Sequence, residues 1–152
     1  MPIIVGGAAM LALAWLTAGP TFSGPISAIS AGRITIVDGD TIRVGGRSTR
    51  LVGFNTPETF EPACNAERQL GDRAAARLRE LVANNVLEFA PVRCACRPGT
   101  EGTARCNYGR ACGTLRANGR DVGDILIAEG LAVRFVCRGT GCPPTPRPWC
   151  AG

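Results

Sequence analysis

Segments in which apolar and polar residues alternate are separated by segments in which apolar residues recur at helical spacing. These two patterns divide the chain into predicted strands and helices. Strands are predicted where the alternation has a period of two, and helices where apolar residues recur every three or four positions. The predicted strands cover 33–37, 41–44, 50–54, 86–92, 110–117 and 132–136. The predicted helices are a long one over 65–84, with Asn65 as its N-cap, and a short one over 122–129. The three strands before the long helix and the two that directly follow it predict an α+β, mostly β fold, a five-stranded barrel of the OB type, with 132–136 as a last strand.

Both ends of the chain fall outside this pattern. Residues 3–18 form an uncharged apolar run that is short for a membrane span, and small residues follow it. This favours an export signal within residues 1–31, with an uncleaved N-terminal anchor formed by 3–18 as the alternative. No stable membrane span is expected after processing. Residues 138–152 are rich in Pro and Gly and predict an irregular tail, which leaves 32–137 as the folded domain.

Eight cysteines follow the predicted signal. An even number of cysteines in an exported chain indicates disulfide bonds. Zinc is the alternative, less favoured because the chain has no Cys-x2-Cys pair and no His. Five cysteines lie at or before Cys112 and three at or after Cys137, so complete pairing requires at least one bridge between the tail and the body.

Composition narrows the possible chemistry. The chain has 152 residues, enough for one domain, and its 45% hydrophobic content is typical of a folded protein. All 17 basic residues are Arg, and the net charge of +5 favours a polyanionic partner. Since Lys and His are absent, Schiff-base enzymes, P-loop enzymes, Ser-His-Asp triads and His-ligated zinc are excluded.

Three short segments carry the candidate chemistry, namely 38–41, 50–58 and 107–110. Asp38-Gly39-Asp40 is by itself a hairpin signal, and a Glu that follows Pro, as Glu58 does, is by itself most often solvated. Together, however, a turn with two carboxylates, two arginines that open strands and a nearby Glu could meet at one mouth of a barrel. Carboxylate and carbonyl oxygens are the ligands that Ca²⁺ accepts.

The order and spacing of these segments resemble one known family. The chain reads VDGDT over 37–41, RLVGFNTPET over 50–59 and YGR over 108–110, around the long helix. It is similar in this respect to the staphylococcal nuclease (thermonuclease) family, and the resemblance runs from about residue 34 to 136. The resemblance implies an exported, monomeric, Ca²⁺-dependent hydrolase: a nuclease acting on single-stranded or frayed DNA and RNA, whose products end in 3′-phosphate and 5′-hydroxyl.

The resemblance also implies roles for individual residues. Glu58 matches the general base that removes a proton from the attacking water, and Arg50 and Arg110 match the two arginines that contact phosphate. The implied calcium ligands are Asp38, Asp40, Asn55 and the carbonyl of Thr56. Tyr108 and Phe135 match positions that contact a terminal phosphate and a base.

Two positions depart from the family pattern. Asn55 stands where the family usually has Asp, which removes one negative charge and predicts weaker Ca²⁺ binding without loss of activity. Asn107 stands where the family often has a basic residue, which predicts weaker binding at that end. Phe135 could equally belong to the core.

Two other functions stay open at this point. The first alternative is a non-catalytic module of the same fold that binds nucleic acid or another polyanion through its arginines, its site attenuated by Asn55. Metal-independent binding that weakens with salt would favour it. The second is a disulfide-strapped structural protein of the cell envelope, which leaves the order of the three segments unexplained.

Overall fold

A computed structural model describes residues 24–150 of the chain. The apolar run over 3–18, predicted to be a signal or anchor, lies outside the described residues, and that prediction stays a prediction. The first described strand, Ser27–Ile29, falls within the 1–31 segment and pairs with a strand of the body. No helix in the described part of the chain is long and apolar enough to cross a membrane.

Nine strands and two α-helices lie within residues 24–150. The strands are β1 Ser27–Ile29, β2 Ile34–Ile36, β3 Thr41–Val44, β4 Arg47–Leu51, β5 Gly53–Asn55, β6 Leu87–Val92, β7 Ala111–Ala117, β8 Arg120–Asp121 and β9 Val133–Phe135. The helices are α1 Asn65–Asn84 and α2 Val122–Ala128. Short 3-10 turns lie at Ala31–Arg33, Asn107–Gly109 and Pro148–Cys150.

The strands form one large and one small sheet. The large sheet has the order β1-β6-β7-β4-β3-β2, with β8 added to β7, and the small sheet is β5 paired with β9. The β4–β7 pair is parallel, and the other pairs are antiparallel. The α+β, mostly β prediction with two helices is confirmed, whereas the number of strands differs from the predicted five. The predicted strand 50–54 divides after Val52, whose N–H still donates to the Gly113 carbonyl of β7 at 3.0 Å; Gly53 then takes a positive φ of 99°, and β5 turns to pair with β9.

Helix α1 packs on the concave side of this sheet. Its buried positions recur at helical spacing and meet apolar side chains of β3, β4 and β7 in one core. The largest fully buried side chain of that core is Phe54, and the next are Ile42, Leu51, Leu78, Leu115 and Leu126. The core therefore holds the strands that carry the candidate site residues in a fixed register.

The predicted start of α1 is wrong by one residue. Cys64, not Asn65, is the N-cap, and its Sγ accepts the Glu67 N–H at 3.4 Å. Glu67 lies in the first turn of α1, and its side chain is fully buried. The helix ends at Asn84, as the sequence indicates.

All eight cysteines form disulfide bonds, which leaves none for zinc. The pairs are Cys64–Cys150, Cys94–Cys112, Cys96–Cys106 and Cys137–Cys142. The predicted bridge between tail and body is confirmed: it joins the residue before α1 to the end of the tail. Four disulfides are compatible with an exported protein.

Candidate active site

The turn between β2 and β3 carries two carboxylates. The Thr41 carbonyl accepts the N–H groups of Val37 and Asp38 at 2.9 and 3.2 Å, and the Asp40 N–H donates to Asp38 Oδ1 at 3.0 Å. The turn passes so close to Thr56 that a Cβ at Gly39 would lie 2.7 Å from the Thr56 hydroxyl oxygen. Glycine is therefore required here for close packing, and the turn and the segment after β5 form one unit.

Asp40 is the buried centre of this unit. Its carboxylate forms an ion pair with the Arg50 guanidinium, accepts the Thr56 N–H at 2.9 Å and accepts the Thr41 hydroxyl at 3.3 Å. Its carbonyl accepts the Leu51 N–H at 2.8 Å. A charged group this deep is stable because its oxygens are paired.

The second carboxylate, Asp38, is less well compensated. Burial and, after it, the negative charge of Asp40 beside it raise the pKa of Asp38 to about 6. The two side chains thus form a pair of acidic groups to which a cation would be attracted.

Asn55, at the end of β5, links the site to the tail. Its Oδ1 accepts from Arg50 Nη2 at 2.9 Å, and the same guanidinium nitrogen donates to the Phe54 carbonyl at 3.0 Å. Its Nδ2 donates to the Pro146 carbonyl at 3.0 Å. The side chain is 2% exposed, and an Asp at this position could not donate the bond to Pro146.

Arg110 joins the site from the neighbouring strand. Because β4 and β7 run parallel, with Thr49 opposite Ala111, Arg110 lies at the same end of the sheet as Arg50. Its Nη1 donates to the Thr41 hydroxyl at 3.1 Å. Burial, and then the positive charge of Arg50, lower the pKa of Arg110, as expected for two guanidinium groups in one mouth.

Asn107 fixes the orientation of Arg110. Its carbonyl and its Oδ1 accept from Arg110 Nε and Nη2 at 3.2 and 2.8 Å. Asn107, Tyr108 and Gly109 all have positive φ, which turns the chain sharply before β7. The Tyr108 ring is 87% exposed, and its centroid lies 5.7 Å from the Arg110 guanidinium carbon. Asn107 is therefore a support for Arg110.

Glu58 lies on the other side of the mouth, in the loop between β5 and α1. Burial raises the pKa of Glu58 and the charge of Asp40 adds to this, while Arg147 and Arg50 oppose it. The backbone N–H of Glu58 donates a hydrogen bond to Glu67 Oε1 at 3.4 Å, so the loop itself is attached to α1.

A groove of about 820 Å³ is lined by Arg50 and by residues of two disulfide-bonded loops, which carry the Cys96–Cys106 and Cys137–Cys142 bridges. Its apolar lining includes Val52, Phe135 and Val136. Its polar lining includes Arg93, Arg97, Arg105 and Asn107. Phe135 is half-buried on β9 and faces this groove, so it shares a cavity with Arg50.

The oxygen atoms near the turn suit a hard cation of the calcium type. Asp38 and Asp40 supply carboxylates, and Asn55 and Thr56 supply neutral oxygens, which is the donor chemistry that Ca²⁺ accepts. Within residues 24–150, no three side chains of Asp, Glu, His or Cys gather as a metal cluster. A cation site built from these oxygens would carry low negative charge, and the weaker Ca²⁺ binding expected from Asn55 stays a prediction.

The structure thus brings most of the predicted residues together. Asp38, Asp40, Arg50, Asn55, Thr56 and Arg110 are joined by direct contacts or one intermediate group, and Glu58 and Phe135 border them. Tyr108 lies at the exposed edge beside Arg110.

Sequence reasoning missed the residues that support this group. The missing charge at Asn107 does not predict that it supports Arg110, and no pattern in the sequence predicts the contacts made by Glu67, Arg147 or Pro146. The available signal was the spacing of Cys64 and Glu67 at the start of α1, which places an acidic side chain beside a bridge to the tail.

The family model described as "Staphylococcal nuclease homologue" matches residues 48–142, which is more than half of the chain and includes Arg50, Glu58 and Arg110. The chain belongs to the staphylococcal nuclease family.

Three curated proteins illustrate its relatives. The chain is 33% identical over 103 residues to succinoglycan biosynthesis protein ExoI of Rhizobium meliloti, covering 67% of this chain and 50% of that protein. It is 33% identical over 100 residues to endonuclease YncB of Bacillus subtilis, covering 63% and 43%. It is 34% identical over 100 residues to the SPbeta prophage-derived endonuclease YokF of Bacillus subtilis, covering 63% and 31%. The chain thus spans half or less of the length of these relatives.

Proposed function

We propose that the protein is a calcium-dependent nuclease that hydrolyses phosphodiester bonds in single-stranded or frayed DNA and RNA. The observation that carries the proposal is the meeting of Asp40, Arg50 and Arg110 at one mouth, with Glu58 bordering it. Family membership and two relatives named as endonucleases support it. The architecture we propose is an OB-type barrel, with the site at one end of its strands.

In this mechanism Glu58 accepts a proton from a water molecule placed in line with the phosphorus atom. Arg50 and Arg110 donate hydrogen bonds to the non-bridging oxygens, where negative charge grows in the transition state. Asp40 and Asn55 hold Arg50 in the orientation that this requires. A bound Ca²⁺, held by Asp38, Asp40, Asn55 and the Thr56 carbonyl, would supply further positive charge to the phosphate.

The groove lined by Arg50 is the proposed path of the nucleic-acid strand. Phe135, part of its apolar lining, offers a surface for base stacking, and the arginines that line it can bind phosphates. Tyr108 is placed to contact a phosphate on the far side of Arg110. Bases can enter such a groove only when unpaired, which favours single-stranded or frayed substrates.

Cleavage of labelled single-stranded DNA and RNA tests this function. The oxidised full chain is compared with Glu58→Gln, in millimolar Ca²⁺ and in EDTA. We expect fragments from the wild type in Ca²⁺ only, and a loss of about 10² or more in kcat for Glu58→Gln with substrate affinity retained. Substrate that stays intact in every condition, yet binds in EDTA with a steep salt dependence, would establish the non-catalytic binding module instead.

A further inference from the structure

The tail of the chain is attached to the site side of the molecule by three different bonds. We define the strap as residues 146–150. Cys150 is bonded to Cys64 at the start of α1, the Pro146 carbonyl accepts from Asn55 Nδ2 at 3.0 Å, and Arg147 Nη2 donates to the Glu61 carbonyl at 3.0 Å. The strap therefore touches both ends of the loop between β5 and α1, the loop that carries Glu58.

Glu67 connects the strap to this loop. Its fully buried carboxylate accepts Arg147 Nε at 3.0 Å and Arg147 Nη2 at 2.7 Å. The same carboxylate accepts the Ala63 N–H at 2.7 Å and the Glu58 N–H at 3.4 Å. One buried acid thus holds two backbone N–H groups of the loop and the guanidinium of the strap.

The loop depends on this acid for its shape because it contains no helix or strand. It also lies directly on α1, since a Cβ at Gly71 would be 2.8 Å from the Pro57 carbonyl oxygen. A buried carboxylate keeps its charge and its acceptor role only while a cation compensates it, and Arg147 is the cation paired with Glu67 among the described residues.

We propose that Arg147 is a positioning residue for the reaction: through Glu67 it fixes the loop that carries Glu58, and the Cys64–Cys150 bond keeps it in place. The inference rests on the proposed function in taking Glu58 as the reacting base. Arg147 itself acts without touching the substrate.

Two variants test the proposal in the oxidised full chain. Arg147→Met removes the guanidinium and keeps the length of the side chain, whereas Arg138→Met removes the same charge from an exposed part of the same tail. Hydrogen exchange of the Glu58 and Ala63 amides is followed residue by residue by NMR. Cleavage of single-stranded DNA in Ca²⁺ gives kcat and KM, at a temperature where circular dichroism shows both variants fully folded.

We expect Arg147→Met to speed exchange of both amides about tenfold or more and to lower kcat about tenfold, with KM changed less than about twofold. Arg138→Met should leave exchange and kcat at wild-type values. Arg147→Lys should restore part of both, because it keeps the charge. If Arg147→Met does not fold, Arg147→Gln replaces it, with the same direction expected.

Equal exchange rates in wild type and Arg147→Met would overturn the proposal, as would faster exchange with wild-type kcat. A wild type that cleaves nothing would refute the proposed function, and the exchange measurement would still decide whether Arg147 fixes the loop.

Discussion

The two sides of the proposed site are built differently. On the strand side, Asp40, Arg50 and Arg110 lie in or directly beside neighbouring strands. Backbone hydrogen bonds set the register of these strands. On the loop side, Glu58 lies on an irregular segment held by Glu67 and by a tail residue 80 positions away from Glu67 in the sequence. The first arrangement is local to the sheet, and the second depends on contacts across the chain.

This difference determines how each side of the site responds to a mutation. A strand residue keeps its position when a distant contact is lost, because the ladder on either side still fixes it. A loop residue loses its position when one distant partner is removed, since no regular structure replaces the contact. Changes to the strand side should therefore act on the reaction directly, and changes to the loop side through stability and geometry.

Removal of the bridge between strap and body should give the largest effect. Cys64→Ala/Cys150→Ala opens a link with a sequence separation of 86, whereas Cys96→Ala/Cys106→Ala opens one of 10. In the chain-entropy account, the longer closure contributes about 4.6 kcal/mol and the shorter about 2.7 kcal/mol to the free energy of unfolding. Chemical denaturation of both double variants measures this. A larger loss for the Cys96–Cys106 pair would show that the strap adds little to the fold.

Replacement of a strand-side arginine should leave stability nearly intact and act on the reaction. Arg110→Ala should lower kcat about 10²-fold, equivalent to about 2.7 kcal/mol, because it removes a donor aimed at the growing charge. Arg116→Ala, exposed near the far end of β7, the strand that Arg110 precedes, is the matched control. Steady-state cleavage of single-stranded DNA measures both. Equal losses in the two variants would indicate that Arg110 contributes only general positive charge.

The same contrast explains how much could be predicted from the sequence. Strands and helices follow from local periodicity, and Asp40, Arg50 and Arg110 lie in three short segments whose order resembles a known family, so their meeting could be anticipated. Glu67 could not, because a Glu in a first helical turn is usually solvated and its burial depends on Arg147. The division of the predicted strand 50–54 also depends on partners distant in sequence, since Val52 bonds to Gly113 of β7 while β5 pairs with β9.

The loop side should also show a distinct pH dependence. The hydrogen bonds from Arg147, ahead of those from the Ala63 and Glu58 amides, lower the pKa of Glu67 below its usual 4.5. A carboxyl group whose pKa is lower in the folded protein than in the unfolded chain stabilises the fold at pH values above its unfolded pKa. This stability is lost as the pH falls through its folded pKa. The difference in unfolding free energy between wild type and Arg147→Met should therefore shrink as the pH falls from about 6 to about 3. Urea denaturation over this range measures it, and a constant difference would contradict the role of the pair.

Asn55 belongs to both sides, and its replacement should give the smallest and most informative effect. Asn55→Asp adds a carboxylate beside Asp38 and Asp40, which should tighten Ca²⁺ binding by about three- to tenfold, because ligand charge tunes affinity. It also removes the bond to the Pro146 carbonyl, a loss of about 1 kcal/mol from the attachment of the strap. Calorimetric titration with Ca²⁺ in the absence of nucleic acid separates the first effect from the second, which denaturation measures.

Asn84→Asp, at the end of α1, adds the same charge far from the site and is the control for nonspecific attraction of the cation. If Asn55→Asp and Asn84→Asp raise Ca²⁺ affinity equally, position 55 is no ligand. If Asn55→Asp alone binds Ca²⁺ more tightly while its strap loosens, the native Asn is explained physically: the chain gives up charge at its cation site to gain an amide that can hold the tail.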